Sequence, residues 1–490
     1  MQSLFQTNPI KPLSQVVAIA LSLGWLTAGG AEAASFTFSK IADTSTAIPG
    51  SNNLTFSDFS GAPVIDDSIV AFVGGGGSNQ LGLGGIYTSS GGILKTVVDT
   101  RTLMPDNDVN FNSLGLGLAI DQGNIVFGGS GNKPNPLGGT DAYGIYTVIG
   151  GVLERVIDQS TILPGDTSNF TTFGGDLSIK GNNVAFYGGS SSENVALFTN
   201  AGGTLQRVVD SSTPLPEVTS NLDSLSNADV VFASSTSVDN TIYNWRSGIY
   251  TYSGGVIKKI VDPATIMLGG RTDLQFGNPV RVDGNDLAFS VISSSNQPST
   301  AIYTIVDGKV SLVADTNTPV PGGIGNFESV AGFIAGFNIG TLSLDQGNVA
   351  FLGRDVVGFT EIPGPICPPR QSCPGPIRVP VTRIGIYTTL GGSLTKVIAE
   401  GEQLDGKIIA PSYLGTSNQM LSGNSLVFSV RFTDGSSGIY QADFAPHPSK
   451  DVPEPASILG LLPAVGALLL RGRKKGQKAA VKSENHYNIG

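Results

Sequence analysis

One short string constrains this chain more than any other: Gly85-Ile86-Tyr87-Thr88, a Gly-Gly turn, then Ile93-Leu94-Lys95-Thr96-Val97-Val98-Asp99. Its apolar-aromatic centre returns at Ile145-Tyr146, Leu197-Phe198, Ile249-Tyr250, Ile302-Tyr303, Ile386-Tyr387 and Ile439-Tyr440, in steps of 59, 52, 52, 53, 84 and 53 residues. A period of this size signals a repeat architecture, in which each unit buries its apolar face against the next. A second element precedes each copy: Val70-Ala71-Phe72, Ile125-Val126-Phe127, Val184-Ala185-Phe186, Val230-Val231-Phe232, Leu287-Ala288-Phe289, Val349-Ala350-Phe351 and Leu426-Val427-Phe428. Most are entered through a Gly-Asn pair, as at Gly181-Asn182 and Gly423-Asn424.

Short β-branched and aromatic runs bounded by Gly, Asn and Asp are strands joined by tight turns, because those residues tolerate positive φ. Each unit therefore reads as four strands, and nothing in the body has a sustained helical period. Four strands about every fifty residues predict an all-β, seven-bladed β-propeller over residues 34–444. The last unit stops after Gly438-Ile439-Tyr440-Gln441 and lacks its Leu-x-Lys-Val-Val-Asp strand; a matching strand, Phe36-Thr37-Phe38-Ser39-Lys40-Ile41-Ala42-Asp43, stands at the beginning. The expectation is that this strand closes the ring and pairs edges that would otherwise lie open. An open β-solenoid is the alternative, and it would not need the displaced strand.

The ends carry a different signal. Lys11, an apolar run over residues 16–26 and Ala31-Glu32-Ala33 before Ala34 describe a signal peptide over residues 1–33, cleaved after Ala33. Beyond a polar linker at 445–451, Pro453-Glu454-Pro455 leads into the apolar segment 456–470, and Arg471, Arg473, Lys474 and Lys475 follow at once. A segment of fifteen largely apolar residues crosses a bilayer only marginally, as a hydrophobic helix, with the basic cluster on the cytoplasmic side. The order over 452–475 resembles the PEP-CTERM sorting tail of Gram-negative bacteria, although the polar tail 476–490 is longer than usual. The resemblance implies export through the inner membrane, transient anchoring by the C-terminal helix, and processing near Pro453-Glu454-Pro455 by an exosortase, with signal peptidase acting at the other end. Exosortases are associated with biofilm and exopolysaccharide, so the implied address is the cell surface or extracellular matrix. The repeats also look like those of uncharacterised proteins bearing this tail, which implies no activity.

Charge and composition exclude several function classes. Residues 453–490 net +4 and residues 1–33 net zero, so the overall −10 leaves −14 on residues 34–452. Such a body repels phosphate backbones and argues against nucleic acid. The only histidines are His447 and His486, both outside the repeats, which excludes a Ser-His-Asp triad, a Cys-His pair and a His-ligated metal within them. Gly-rich runs such as residues 74–77 lack the Gly-Lys-Ser/Thr ending and a following helix, so they are loops rather than phosphate cradles. The 84-residue step holds a Pro-rich insertion, residues 357–382, expected to project from one face as a loop. Its Cys367 and Cys373 are the only cysteines, and in an oxidising compartment they predict a disulfide worth roughly 2 kcal/mol.

One acid per unit remains: Asp43, Asp99, Asp158, Asp210, Asp262, Asp315 and Glu400. Five open the pattern Asp-x-x-Thr-x-x-Pro; Asp262 keeps Thr265 but has Leu268 for proline, and the Glu400 copy has lost the pattern. The structural reading is that each accepts backbone N–H bonds in the turn between blades. The functional reading is a ring of carboxylates attracting Ca²⁺, to which Asp66-Asp67 and Asp106-Asn107-Asp108 add local acids. No catalytic residue, cofactor or other metal site stands out. The body is thus expected to be a binding or scaffolding module, with exopolysaccharide as the partner its context suggests. Two alternatives stand beside it: a carboxylate-based glycan hydrolase or lyase, which needs two acids at a set separation but no histidine, and a purely structural protein with no ligand.

Overall fold

The computed structural model describes residues 35–445, apart from 78–81, 107, 133–141, 192–194, 211–219, 227–228, 238–244, 262–273, 294–298, 332, 335–336, 339–340 and 363–376. The signal-peptide residues, Ala33 and Ala34, Cys367 and Cys373, Asp262, and everything from Pro446 through Pro453-Glu454-Pro455 to the basic cluster and the polar tail lie outside them, while Ala445, expected in the linker, ends the last strand. Among the described residues there is no helix, and so none able to cross a membrane.

Seven antiparallel sheets form a β-propeller. Blade 1 comprises Asp58–Asp66, Ile69–Gly76, Leu83–Ser90 and Ile93–Asp99, paired in that order. Blades 2 to 6 repeat the order over residues 111–158, 172–209, 220–261, 274–315 and 324–399. Blade 7 is made from both ends of the body: Ser35–Asp43 pairs antiparallel with Ser437–Ala445, which pairs with Ser425–Phe432. The register sets Phe36 opposite Phe444, Lys40 opposite Tyr440 and Ala42 opposite Ile439. The displaced strand lies where the missing one was expected.

The repeat string follows from packing inside each blade. The Phe of the second strand lies beside the aromatic of the third: Phe72 and Tyr87 at 5.8 Å, Phe127 and Tyr146 at 5.8 Å, Phe186 and Phe198 at 5.7 Å, Phe351 and Tyr387 at 5.9 Å. A third ring from the start of the inner strand meets that aromatic edge-on, as with Phe56 on Tyr87 at 5.0 Å and 90°, or Phe327 on Tyr387 at 4.7 Å and 83°. Edge-to-face pairs of this kind add about 0.5–1.5 kcal/mol beyond burial. Glycines that recur from blade to blade make room for these rings. A Cβ on Gly85 would stand 2.8 Å from the Tyr87 hydroxyl, and one on Gly74 would stand 2.9 Å from the Phe56 ring.

The 84-residue step lengthens the second and third strands of blade 6 to Asn348–Ile362 and Ile377–Thr388, which stay paired, through one register shift between Val356 and Gly358, out to Ile362 opposite Ile377. This corrects the expected loop over 357–382: both of its flanks are a projecting two-stranded ribbon, and only 363–376 is left between them. Alternating β-branched and aromatic residues, Phe359-Thr360 on one strand and Val379 and Val381 on the other, carry the pairing. Pro380, opposite Phe359, is tolerated because its strand pairs outward only from Gly385 onward, leaving an edge where the missing N–H breaks no ladder.

Candidate functional site

The inner strands surround a cavity of about 450 Å³. At one end lie the two-residue turns joining first to second strands, and at the other lie the longer connections between blades. At the turn end every inner strand finishes at one register position: Asp66, Asp121, Lys180, Ser226, Asp283, Asp345 and Ser422, each paired across its turn with Ile69, Asn124, Asn183, Asp229, Asp286, Asn348 and Ser425. The side chains of Asp66, Asp121, Lys180, Asp283, Asp345 and Ser422 line the cavity.

These side chains bind the blades to one another. Asp66 accepts a bond from the Gln122 backbone N–H of blade 2, and Asp121 accepts from Gly181 N at 2.6 Å and Lys180 Nζ at 2.8 Å in blade 3. Asp283 accepts from Gln346 N at 2.7 Å, Asp345 from Gly423 N at 2.6 Å, and the Ser422 hydroxyl from Asp67 N at 2.8 Å, which returns the chain of bonds to blade 1. The donor is in each case the first residue of the neighbour's turn, held at positive φ: Gln122 at 50°, Gly181 at 58°, Gln346 at 48°, Gly423 at 55° and Asp67 at 51°. That conformation turns the amide sideways, toward the preceding blade. Gln419 adds a second tie across the interior: its carbonyl accepts Ile65 N at 2.8 Å while its side-chain amide bonds both the N–H (3.0 Å) and the C=O (3.1 Å) of Ile120.

The electrostatics are uneven round the ring. Burial raises the pKa of Asp66, opposed by the Gln122 amide and reinforced by the charges of Asp121 and Asp67. Asp345 is raised by burial in the same way, with Asp283 and Asp67 adding to it. Lys180 is raised by its bond to Asp121. The ring thus holds two carboxyls pushed toward neutrality beside a carboxylate–ammonium pair. Sequence reading named Asp66 only as half of an Asp-Asp pair and missed the ring. The available signal was the residue just before the turn from first to second strand, which is Asp in four of seven blades.

The predicted turn acids lie at the opposite end, and each described Asp is engaged with its own turn or a nearby arginine. Asp43 Oδ1 accepts from Ser45 N at 2.9 Å and Thr46 Oγ1 at 3.0 Å, and its own N–H donates to Thr46 Oγ1 at 2.9 Å. Asp158 and Asp315 repeat the arrangement with Thr161 and Thr318; Asp99 keeps the bonds to Arg101 N and Thr102 Oγ1, and Asp210 is bonded by Arg207 at 2.9 Å. The apolar residue before the proline, Ile48, Met104, Leu163 or Val320, is buried and pins the loop to the core. Glu400 is a correction: the position opposite Gly385, equivalent to that of Asp99 opposite Gly85, belongs to Ala399. The carboxylate near the blade 6 tyrosine is instead Asp355, fully buried and bonded by Arg383 Nε at 3.1 Å. Glu402 replaces the threonine as acceptor for Ala399 N at 3.1 Å, while Glu400 reaches from Ile384 N (3.0 Å) to Ser412 N (2.6 Å) on blade 7. Among the described residues no three His, Cys, Asp or Glu side chains are grouped to hold a metal ion.

A model described as "Family of unknown function (DUF7453)" matches residues 31–192. No curated protein matches the chain. Similar solved structures include the polysaccharide lyase Uly1, with 9% identity, a TM-score of 0.40, and coverage of 82% of this chain and 94% of that one. A puromycin-hydrolysing peptidase of Mycobacterium tuberculosis has 11% identity, a TM-score of 0.43, and coverage of 79% of this chain but 51% of that one. An oligogalacturonate lyase in complex with manganese has 9% identity, a TM-score of 0.38, and coverage of 80% and 96%.

Proposed function

We propose that the chain is an exported binding and scaffolding module, released at the cell surface or into an extracellular polysaccharide matrix after exosortase processing at Pro453-Glu454-Pro455. The observation that carries the binding role is the use made of the cavity acids. Asp66, Asp121, Asp283 and Asp345 each hold the turn amide of the next blade, which makes a rigid ring. The connections at its far end, including the blade 6 ribbon, supply the variable surface that recognition needs. The resemblance of the tail supplies the address. Two measurements test this: replacement of Pro453-Glu454-Pro455 by three alanines should keep the protein in the membrane fraction, and the wild-type protein should be retarded in polysaccharide-containing native gels. Unchanged release, or unretarded migration with every polymer, would each count against the reading.

A second reading is favoured by one observation. Asp66, pushed toward neutrality, lies near Asp121, which is paired with Lys180, inside the same cavity. Two carboxyls in unlike environments are what glycan cleavage requires. Release of reducing ends from a matrix polysaccharide, abolished in Asp66→Asn and Asp121→Asn, would establish it over binding alone.

A further inference from the structure

The inner strand of blade 7 bulges away from its partner between Ile409 and Leu414. Ile409 pairs with Phe432 and Leu414 with Val430, so four residues, 410–413, stand opposite the single residue Arg431. Ser412 within this bulge has φ of 62° although it is not glycine. That conformation is unfavourable for a residue with a side chain and persists only where the surroundings enforce it. Here the enforcing group is Glu400, only 6% exposed, which takes Ser412 N at 2.6 Å with one oxygen and Ile384 N at 3.0 Å with the other. The consequence is that Tyr413 is thrown outward, 49% exposed. The Arg431 guanidinium lies over its ring, 4.8 Å from the centroid, and reaches Asp58 of blade 1 at 3.6 Å. The corresponding bulge of blade 1 is built from Gly61-Ala62-Pro63 and carries no ring.

We infer that Tyr413, Arg431 and Asp58, at the seam between blades 7 and 1, form a subsite for one pyranose ring of a neutral polysaccharide. An aromatic ring held partly exposed offers an apolar surface to the C–H face of a sugar, and a planar multi-donor guanidinium beside a carboxylate acceptor matches a pair of neighbouring hydroxyls. The arginine and aspartate cancel each other's charge, and the −14 body disfavours a polyanion. The cavity-lining Ser60 and Gly61 follow Asp58 on the same strand, so the subsite lies at the cavity's loop end, away from the acid ring. This rests on the binding role proposed above and names the sugar class and the residues.

The test uses affinity electrophoresis of the full-length protein in gels containing barley β-glucan, guar galactomannan, alginate or polygalacturonate. The expected result is retardation by at least one neutral polymer, with an affinity at least tenfold weaker in Tyr413→Ala and in Arg431→Ala. Their thermal midpoints should stay close to wild type because both side chains are half-exposed at the surface. Unchanged retardation of Tyr413→Ala would overturn the subsite and leave the binding role intact. Preference for alginate or polygalacturonate, abolished by salt, would overturn the neutral-sugar assignment. Migration unaffected by all four would overturn subsite and binding role together.

Discussion

At the residue scale, the repeat carries a built-in flaw that only some blades correct. The hydroxyls of Tyr87 and Tyr146 are buried without a hydrogen-bond partner, and burial together with the Asp99 charge pushes the Tyr87 phenol up to about 12. Blade 3 places Phe198 at the same position. Tyr87→Phe should therefore leave stability unchanged or raise it by up to about 1 kcal/mol in urea denaturation, since it removes an unpaired buried polar atom and keeps the ring. Gly85→Ala should cost about 1–3 kcal/mol in the same assay, because the new methyl meets that hydroxyl and overpacks the blade. The turn acids make a pH-dependent prediction. Burial pushes the Asp158 carboxyl up, but bonds from Ser160 and Arg155 outweigh it and lower its pKa. Its stabilisation is fully present above the unfolded value of about 3.9 and is lost as pH falls through the lower folded value. The thermal midpoint of Asp158→Asn should lie below that of wild type at pH 7, and the gap should close as the pH is taken well below 4.

At the element scale, the acid at the end of each inner strand belongs functionally to its neighbour. Asp121→Ala should leave the Gly181 amide and the Lys180 ammonium without their acceptor and cost about 2–4 kcal/mol, more than an ordinary exposed-turn substitution. Asp66→Asn should be close to neutral at pH 7, because the amide oxygen still accepts from Gln122 while a carboxyl that burial already disfavours as an anion is removed. Comparison of the two in chemical denaturation separates a lost acceptor from a lost charge. Within a blade the strands were legible in the sequence, because period-two patterning and positive-φ turn residues are local properties. The ring of acids was not, because the partner of Asp66 is 56 residues away and that of Ser422 is 355 away. Glu400 shows the same limit: its neighbourhood in sequence looks like a decayed turn, and only the ladder reveals that Ala399 holds the position.

At the scale of the whole molecule, closure depends on nine residues. Ser39 stands directly opposite Gln441 across the seam, whereas Ala442 pairs with Phe38. In a chain with Cys367 and Cys373 changed to serine, Ser39→Cys with Gln441→Cys should oxidise to a single cross-linked monomer on non-reducing gels, and Ser39→Cys with Ala442→Cys should not. Removal of residues 35–43 should strip the outer strand from blade 7 and give aggregation-prone protein, because the exposed edge of Ser437–Ala445 is then free to pair with another chain.

Taken alone, the sequence determined the blade, the number of blades and the borrowed strand that joins the two ends, since each of these is written in repeated local patterns and a missing copy. Only the tertiary structure decided which acids face the cavity, which blade each one serves, and that Tyr413 stands outward at the seam. Those outcomes depend on residues brought together from distant blades, and the geometry of that meeting is set by ring closure rather than by any local run of the chain.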